Sequence, residues 1–319
     1  MSTDVSFPSQ SQEFSDRVTN RLRYLARGIP ANLQPAVTTL LDRPGKRLRT
    51  HLLYTCAGFG ASAPGRLERA AAVVELMHVA SLLHDDIVDC AAERRGVPAA
   101  HARYGPQIAV LAGLACFSAA GMEAADLGPG AYRVVTRAAA RLAHGQVLDL
   151  ERAFDTQLDI EDYVELAASK TGELFGLCAH LGAAEARCRP EILRTVVTVA
   201  RHAGVAFQIL DDCLDIETAT TGKPHGTDLL RGLLGAPVVL ALAADSARTL
   251  QRNLLDPDLT DSGLPALANQ VERLGGLAAA HALATERLNA ANAELNNLPE
   301  SPARAALHAL LASLENPPA

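Results

Sequence analysis

Apolar residues recur with a period near 3.6 along almost all of this 319-residue chain, and no run of strict alternation interrupts them. A chain patterned in this way buries its apolar side chains by packing helix against helix. The pattern predicts helices over 12–27, 34–41, 46–58, 66–91, 99–125, 131–154, 160–183, 190–218, 233–253, 263–297 and 302–315. Breakers separate them at Gly58–Gly65, Gly128-Pro129-Gly130, Arg189-Pro190, Thr221–Gly226 and Asp256–Gly263. Asp159 or Asp162 is suited to open the helix near Tyr163, since acidic residues favour a first turn. Without Trp, and with 4% aromatic residues, the core is left to Ala, Leu and Val, which suits closely packed helices. No linker divides the composition, so the expectation is one all-α domain over 13–319 behind a flexible arm at 1–12.

Composition removes several classes of function. A net charge of −7 supplies no general basic field for nucleic acid. The apolar runs Val110–Met122 and Leu233–Ala244 fall short of the roughly 20 residues a spanning helix needs, so no stable membrane insertion is expected. Met1–Asp16 is polar and does not read as a signal peptide. Cys56, Cys90, Cys116, Cys178, Cys188 and Cys213 show no zinc-binding spacing. Most fall in apolar helical patterns as small hydrophobes, which suits a cytoplasmic protein.

The string Asp85-Asp86-Ile87-Val88-Asp89 has an echo in Asp211-Asp212-Cys213-Leu214-Asp215. On a helix Asp85 and Asp89 share a face with Asp86 on its flank, and Asp211, Asp212 and Asp215 repeat the geometry. Three like charges near a helix C-terminus repel one another and oppose the helix dipole. A solvated acidic helix end is the plain reading of either string alone. A hard divalent cation is the functional one, because carboxylate oxygens suit Mg²⁺. Mg²⁺ usually bridges carboxylates to substrate phosphates, so phosphate-binding cations should stand nearby. Lys46 and Arg49 lie three apart on one helical face in Gly45-Lys46-Arg47-Leu48-Arg49, Arg94 and Arg95 follow the first string, and Lys170 opens Lys170-Thr171-Gly172. Lys223 sits in a Gly-rich loop after the second string. His78 and Ser81 precede the first string on the Asp85 face, and Gln208 stands in that relation to the second.

With these segments in view the chain resembles the trans-isoprenyl diphosphate synthases, or polyprenyl synthetases. The resemblance runs from about Arg43 to Leu242 through GKRLR (45–49), ELMHVASLLHDDIVD (75–89), RRG (94–96), KTGELF (170–175), FQILDDCLD (207–215) and GKPHGTDL (222–229). It implies helices packed around a deep central cavity, a homodimer, and head-to-tail condensation of an allylic diphosphate with isopentenyl diphosphate. It further implies three Mg²⁺, two at the first acidic string and one at the second. Asp85, Asp89 and Asp211 match direct ligands, supported by Asp86, Asp212 and Asp215, of which Asp215 is also counted among the metal ligands. By the same resemblance Arg94, Lys170 and Lys223 grip the allylic diphosphate, and Lys46, Arg49, His78 and Arg95 the isopentenyl diphosphate. Thr171, Phe207 and Gln208 match residues near the reacting carbons. Ala80 and Ser81 match the floor beneath the growing chain, with Met77 a turn deeper. Small residues there favour products of geranylgeranyl length or longer.

Three positions depart from the family pattern: Pro44 replaces a Gly, Leu114 an Asp, and Leu233 the Lys of a Gly-Lys-x-x-x-Pro run. The last removes a cation from the diphosphate side and raises three rivals. An aromatic prenyltransferase would not need Lys46, Arg49, His78 and Arg95. A terpene cyclase would usually replace the second acidic string. A non-catalytic subunit would typically lose both.

Overall fold

The computed structural model describes residues 7–63, 65–219 and 227–315. Sixteen α-helices carry the described residues: α1 (Phe7–Ala26), α2 (Gln34–Leu41), α3 (Leu48–Ala57), α4 (Arg66–Val88), α5 (Ala100–Tyr104), α6 (Pro106–Leu127), α7 (Pro129–Glu151), α8 (Ile160–Ala167), α9 (Glu173–Glu185), α10 (Pro190–Ala219), α11 (Thr227–Leu230), α12 (Ala236–Ala244), α13 (Thr249–Leu254), α14 (Leu264–Arg273), α15 (Gly276–Leu295) and α16 (Pro302–Glu315). The all-α expectation holds. α1 begins at Phe7, so residues 7–12 of the expected arm are helical. Gly105 with Pro106, and Gly275, split two helices expected to be continuous. Asp159 caps α8, its carboxylate accepting the Asp162 N–H at 2.8 Å, as expected of an acidic entry.

Contacts group the chain into two compact units. The first comprises Met1–Ala140, Leu174–Ala200 and Glu294–Leu310. At its core α4 is apolar all round: Ala70 to Val74, Leu76, Met77 and Ala80 are fully buried. α6 offers α4 the small side chains Ala109, Ala112, Gly113, Cys116 and Ala120, which allow close approach of the two axes. A Cβ at Gly113 would stand 2.2 Å from His84 Nε2, so a larger residue there would displace the imidazole. At Gly182 of α9 an added Cβ would lie 2.3 Å from the Leu53 carbonyl oxygen of α3, so only glycine fits there. Each buried Val or Leu contributes about 1.5–3 kcal/mol, so a core of small residues needs this tight interdigitation.

One expectation is corrected here. α6 spans 22 residues and is, by length and composition, long and apolar enough to cross a membrane. The helix extends past both ends of the run Val110–Met122, because Pro106 starts it and Gly128 (φ +120°) ends it. Its second face leaves Val110, Leu111, Leu114 and Met122 exposed.

The second unit comprises Arg141–Glu173, Arg201–Ala293 and Leu311–Ala319. Tyr163, Ile209, Cys213, Ile216, Val239, Leu250, Leu267 and Val271 fill its core. A π-helical turn, Ala168–Gly172, joins α8 to α9 and breaks the continuous helix expected over 160–183. Such turns are concentrated at functional sites.

Candidate active site

In the first unit the chain ends α4 with the first acidic string. Asp86 points inward, 1% exposed, and its Oδ1 accepts the Arg94 guanidinium at 2.7 Å from Nε and 2.5 Å from the terminal nitrogen. Asp85 and Asp89 are half-buried, one turn apart. Arg94 reaches back because Glu93–Arg94 pairs with Val97–Pro98 as a two-residue antiparallel ladder, too short to show as alternation. Its corner residues, Arg95 (φ +54°) and Gly96 (φ +73°), are both left-handed, as a two-residue hairpin with strand twist demands. Burial works against the Arg94 charge, but the Asp86 hydrogen bond and the neighbouring carboxylates outweigh it and raise the Arg94 pKa.

The turn sends Arg95 the other way. Its guanidinium donates to the Leu40 carbonyl at 3.1 Å and the Arg43 carbonyl at 2.5 Å, and stands 3.5 Å from His78 Nε2. Arg49 approaches the same nitrogen at 3.2 Å, its guanidinium 5.6 Å from the Phe175 ring centroid. Arginine has no acceptor, so His78 Nε2 carries the lone pair and the ring proton sits on Nδ1. Burial, then the charges of Arg49, Arg95, Arg94 and Arg47, hold the His78 pKa well below its ordinary value. His78 is a neutral acceptor aligning two guanidinium forks. Lys46 and Arg49 do not share a helical face as expected: α3 starts at Leu48, Arg47 is its left-handed N-cap (φ +50°), and Lys46 lies in the preceding turn. Met77 and Ala80 are fully buried on α4, and the Ser81 hydroxyl donates to the His78 carbonyl at 2.9 Å.

The second unit holds the other string. Asp212 accepts three donors: Tyr163 Oη at 2.5 Å, Gln208 Nε2 at 2.9 Å and the Ala236 N–H at 3.0 Å. Thr171 Oγ1 donates to Gln208 Oε1 at 2.6 Å, so Thr171, Gln208, Asp212 and Tyr163 form one chain of hydrogen bonds. Burial pushes the Asp212 pKa up to about 6 against the pull of those donors, with Asp211 adding repulsion. Gly235 makes the contact possible, since a Cβ there would lie 2.8 Å from the Asp212 carboxyl carbon. Asp212 thereby pins the loop that carries Leu233, and Phe154 N–H donating to the Gly232 carbonyl at 2.9 Å pins it again. Asp211 is exposed and Asp215 half-buried, one turn apart on α10. Phe207, also on α10, is half-buried. Lys223 lies outside the described residues.

Lys170 emerges from the π-turn with its Nζ 2.5 Å from Asp149 Oδ2. Gly145, one turn before Asp149 on α7, permits it: a Cβ there would be 3.2 Å from the Lys170 backbone nitrogen. Asp149 escaped the sequence reading because a single carboxylate in an amphipathic helix reads as surface. The signal that could have found it is the Gly145–Asp149 spacing, a close-approach residue and an acid on one helical face.

The donor set fits a hard cation. Asp86 Oδ2 is buried and accepts no hydrogen bond from the described residues, while Asp85, Asp89, Asp211 and Asp215 offer oxygen alone. Among the described residues no three His, Cys, Asp or Glu side chains converge into a ready-made cage. Mg²⁺ usually takes one or two carboxylates and completes its shell with phosphate oxygens and water.

Known proteins match the chain over most of its length. A family model described as Polyprenyl synthetase matches residues 30–267. The chain is 33% identical to a short chain isoprenyl diphosphate synthase of Methanothermobacter thermautotrophicus over 308 residues, 93% of this chain and 94% of that protein. It is 30% identical to heptaprenyl diphosphate synthase component 2 of Geobacillus stearothermophilus, covering 87% of this chain and 88% of that one. The structure superposes on a decaprenyl diphosphate synthase from Rhodobacter capsulatus with a TM-score of 0.88 at 27% identity, over 95% and 96% of the two chains. Match length and identity extend far beyond the acidic strings, and the chain belongs to the polyprenyl synthetase family.

Proposed function

We propose that this protein is a trans-prenyltransferase condensing isopentenyl diphosphate with an allylic diphosphate to give a longer all-trans prenyl diphosphate. The observation that carries the reading is a shared division of labour within the two acidic strings. In each, the second aspartate is held by protein donors, Asp86 at Oδ1 by Arg94 and Asp212 by Tyr163, Gln208 and Ala236. The first and fifth aspartates of each string lie one helical turn apart on one face. We assign Asp85, Asp89, Asp211 and Asp215 to Mg²⁺ on the allylic diphosphate, with Arg94, Lys170 and Lys223 gripping its oxygens. Bound there, Mg²⁺ would neutralise negative charge as the diphosphate departs.

Arg94 and Lys170 add fixed positive charge where the leaving group gains negative charge, lowering the barrier to C–O ionisation. Lys46, Arg49 and Arg95 hold isopentenyl diphosphate so that its double bond attacks the allylic cation without a search through solution. Arginine forks suit that task, since each takes two phosphate oxygens at once. His78 supports it from behind by aligning Arg49 and Arg95. Thr171 and Gln208, tied to Asp212, flank the reacting carbons without entering the chemistry. A proton lost after carbon–carbon bond formation goes to the released diphosphate, and the apolar side chains exclude the water that would quench the cation.

Purified protein given Mg²⁺, isopentenyl diphosphate and geranyl or farnesyl diphosphate is expected to form linear prenyl diphosphates, and EDTA to abolish the reaction. Chromatography of the dephosphorylated products reads both outcomes. Recovery of unreacted substrates from every primer would favour the non-catalytic subunit, and primer loss without isopentenyl diphosphate the cyclase. We propose products of geranylgeranyl length or longer, supported by the small Ala80 and Ser81 side chains above Met77. Ser81→Phe is expected to shorten the product by at least one isoprene unit; an unchanged distribution removes Ser81 from the floor. We also propose a homodimer, supported by the exposed Val110, Leu111, Leu114 and Met122 on one face of α6. Light scattering distinguishes it from a monomer awaiting a different subunit. The free thiols support a reducing compartment such as the cytoplasm.

A further inference from the structure

Four arginines, Arg47, Arg49, Arg94 and Arg95, bear on His78, and Asp86 occupies one of them. The carboxylate paired with another, Arg47, is Glu75, three residues before His78 on α4 and 5% exposed. Its Oε2 pairs with Arg47 at 3.3 Å, and its Oε1 accepts the buried Thr50 hydroxyl at 2.5 Å. Arg47 is itself 8% exposed, also donates to Thr19 Oγ1 at 3.2 Å, and holds the left-handed N-cap of α3 at φ +50°. A non-glycine residue at that φ persists only where its surroundings over-determine it. Glu75 therefore grips the start of α3 at both Arg47 and Thr50, and between those anchors lie Leu48 and Arg49, the latter being the fork that lies on His78.

We infer that Glu75 is a positioning residue for the isopentenyl diphosphate anchor, acting through Arg47 and Thr50 to fix the backbone from which Lys46 and Arg49 project. The inference rests on the reading of Lys46, Arg49 and Arg95 as that anchor. Glu75 touches neither substrate nor metal in it. Its charge offsets that of Arg47. Its geometry sets where Arg49 stands. A buried ion pair is weak evidence for stability, and setting the register of neighbouring groups is its better-attested use.

Full-length wild type, Glu75→Gln and the double variant Arg47→Met/Glu75→Leu test this by far-UV melting and by steady-state kinetics with each substrate varied in turn. Glu75→Gln keeps an acceptor for Thr50 and loses the charge. The double variant removes both charges, so that a chain still folds where the single change leaves Arg47 buried and unpaired. The expected result is a KM for isopentenyl diphosphate raised about tenfold or more, with kcat and the KM for the allylic diphosphate within about twofold of wild type. Folded variants with an unchanged KM for isopentenyl diphosphate overturn the inference. So does a parallel change in all three constants, or loss of folding in both variants, since each marks the pair as structural only. A wild type that never consumes isopentenyl diphosphate overturns the proposed function itself, and is told apart by failing before any variant is compared.

Discussion

Asn at both Asp85 and Asp89 is expected to lower kcat by about 10³-fold or more, with the far-UV spectrum and melting temperature close to wild type. Several kcal/mol of charge stabilisation from a bound metal is lost, and each 1.36 kcal/mol is a factor of about ten in rate. The fold tolerates the change because both side chains are half-buried at the end of α4, where three adjacent carboxylates repel one another and oppose the helix dipole. The Mg²⁺ concentration for half-maximal rate should rise in the single variants, which separates metal loss from a damaged backbone. Asp211→Asn with Asp215→Asn should behave alike on α10. Asp212→Asn should not: three donors converge on that carboxylate, so its replacement loosens α8 and the loop before α12. Wild-type turnover in the Asp85/Asp89 double variant would remove the first string from the chemistry.

The sequence made the helical architecture legible because burial of a helix face leaves a period that no local detail erases. α2, α10 and α16 fall within one residue of the expected bounds, and the Gly128-Pro129-Gly130 breaker divides α6 from α7. Short events were invisible: the hairpin at Arg94–Val97 is too short for alternation, and the π-turn at Ala168–Gly172 alters hydrogen bonding without altering composition. Both present cations of the site. The acidic strings were readable because clustered like charge beside apolar runs is costly and so informative. Their internal division was not, since it depends on partners distant in sequence: Arg94 for Asp86, and Tyr163 and Ala236 for Asp212. Glu75 and Asp149 were missed for the same reason. Each is one ordinary acid in a helix until its partner, Arg47 or Lys170, is in place.

Leu233 gains a structural reading from the same contacts. The loop that carries it is held at Gly232 by Phe154 and at Ala236 by Asp212, so exchange of the family's Lys for Leu leaves those pins intact. What is lost is charge, with Lys170 and Arg94 retained. On the proposed function, the departure bears on the strength of diphosphate binding.

Arg94→Met is expected to destabilise the protein by about 3–5 kcal/mol, the cost of breaking a buried ion pair by removing one partner. Asp86 is 1% exposed, Arg94 supplies both contacts to its Oδ1, and no other described group donates to Oδ2. The carboxylate left behind has neither water nor a counter-charge. Arg94→Lys keeps the charge but loses the fork, so it should recover part of the loss and no more. Paired replacement, Asp86→Leu with Arg94→Met, removes both desolvation costs and should restore most of the stability, because a neutral apolar pair is often no worse than a buried ionic one. Urea unfolding of the four proteins measures this directly. Activity should follow a different order: the double variant, although folded, still lacks a cation for the departing diphosphate and stays slow. If stability and turnover recover together in the double variant, Arg94 serves Asp86 alone and has no part in gripping substrate.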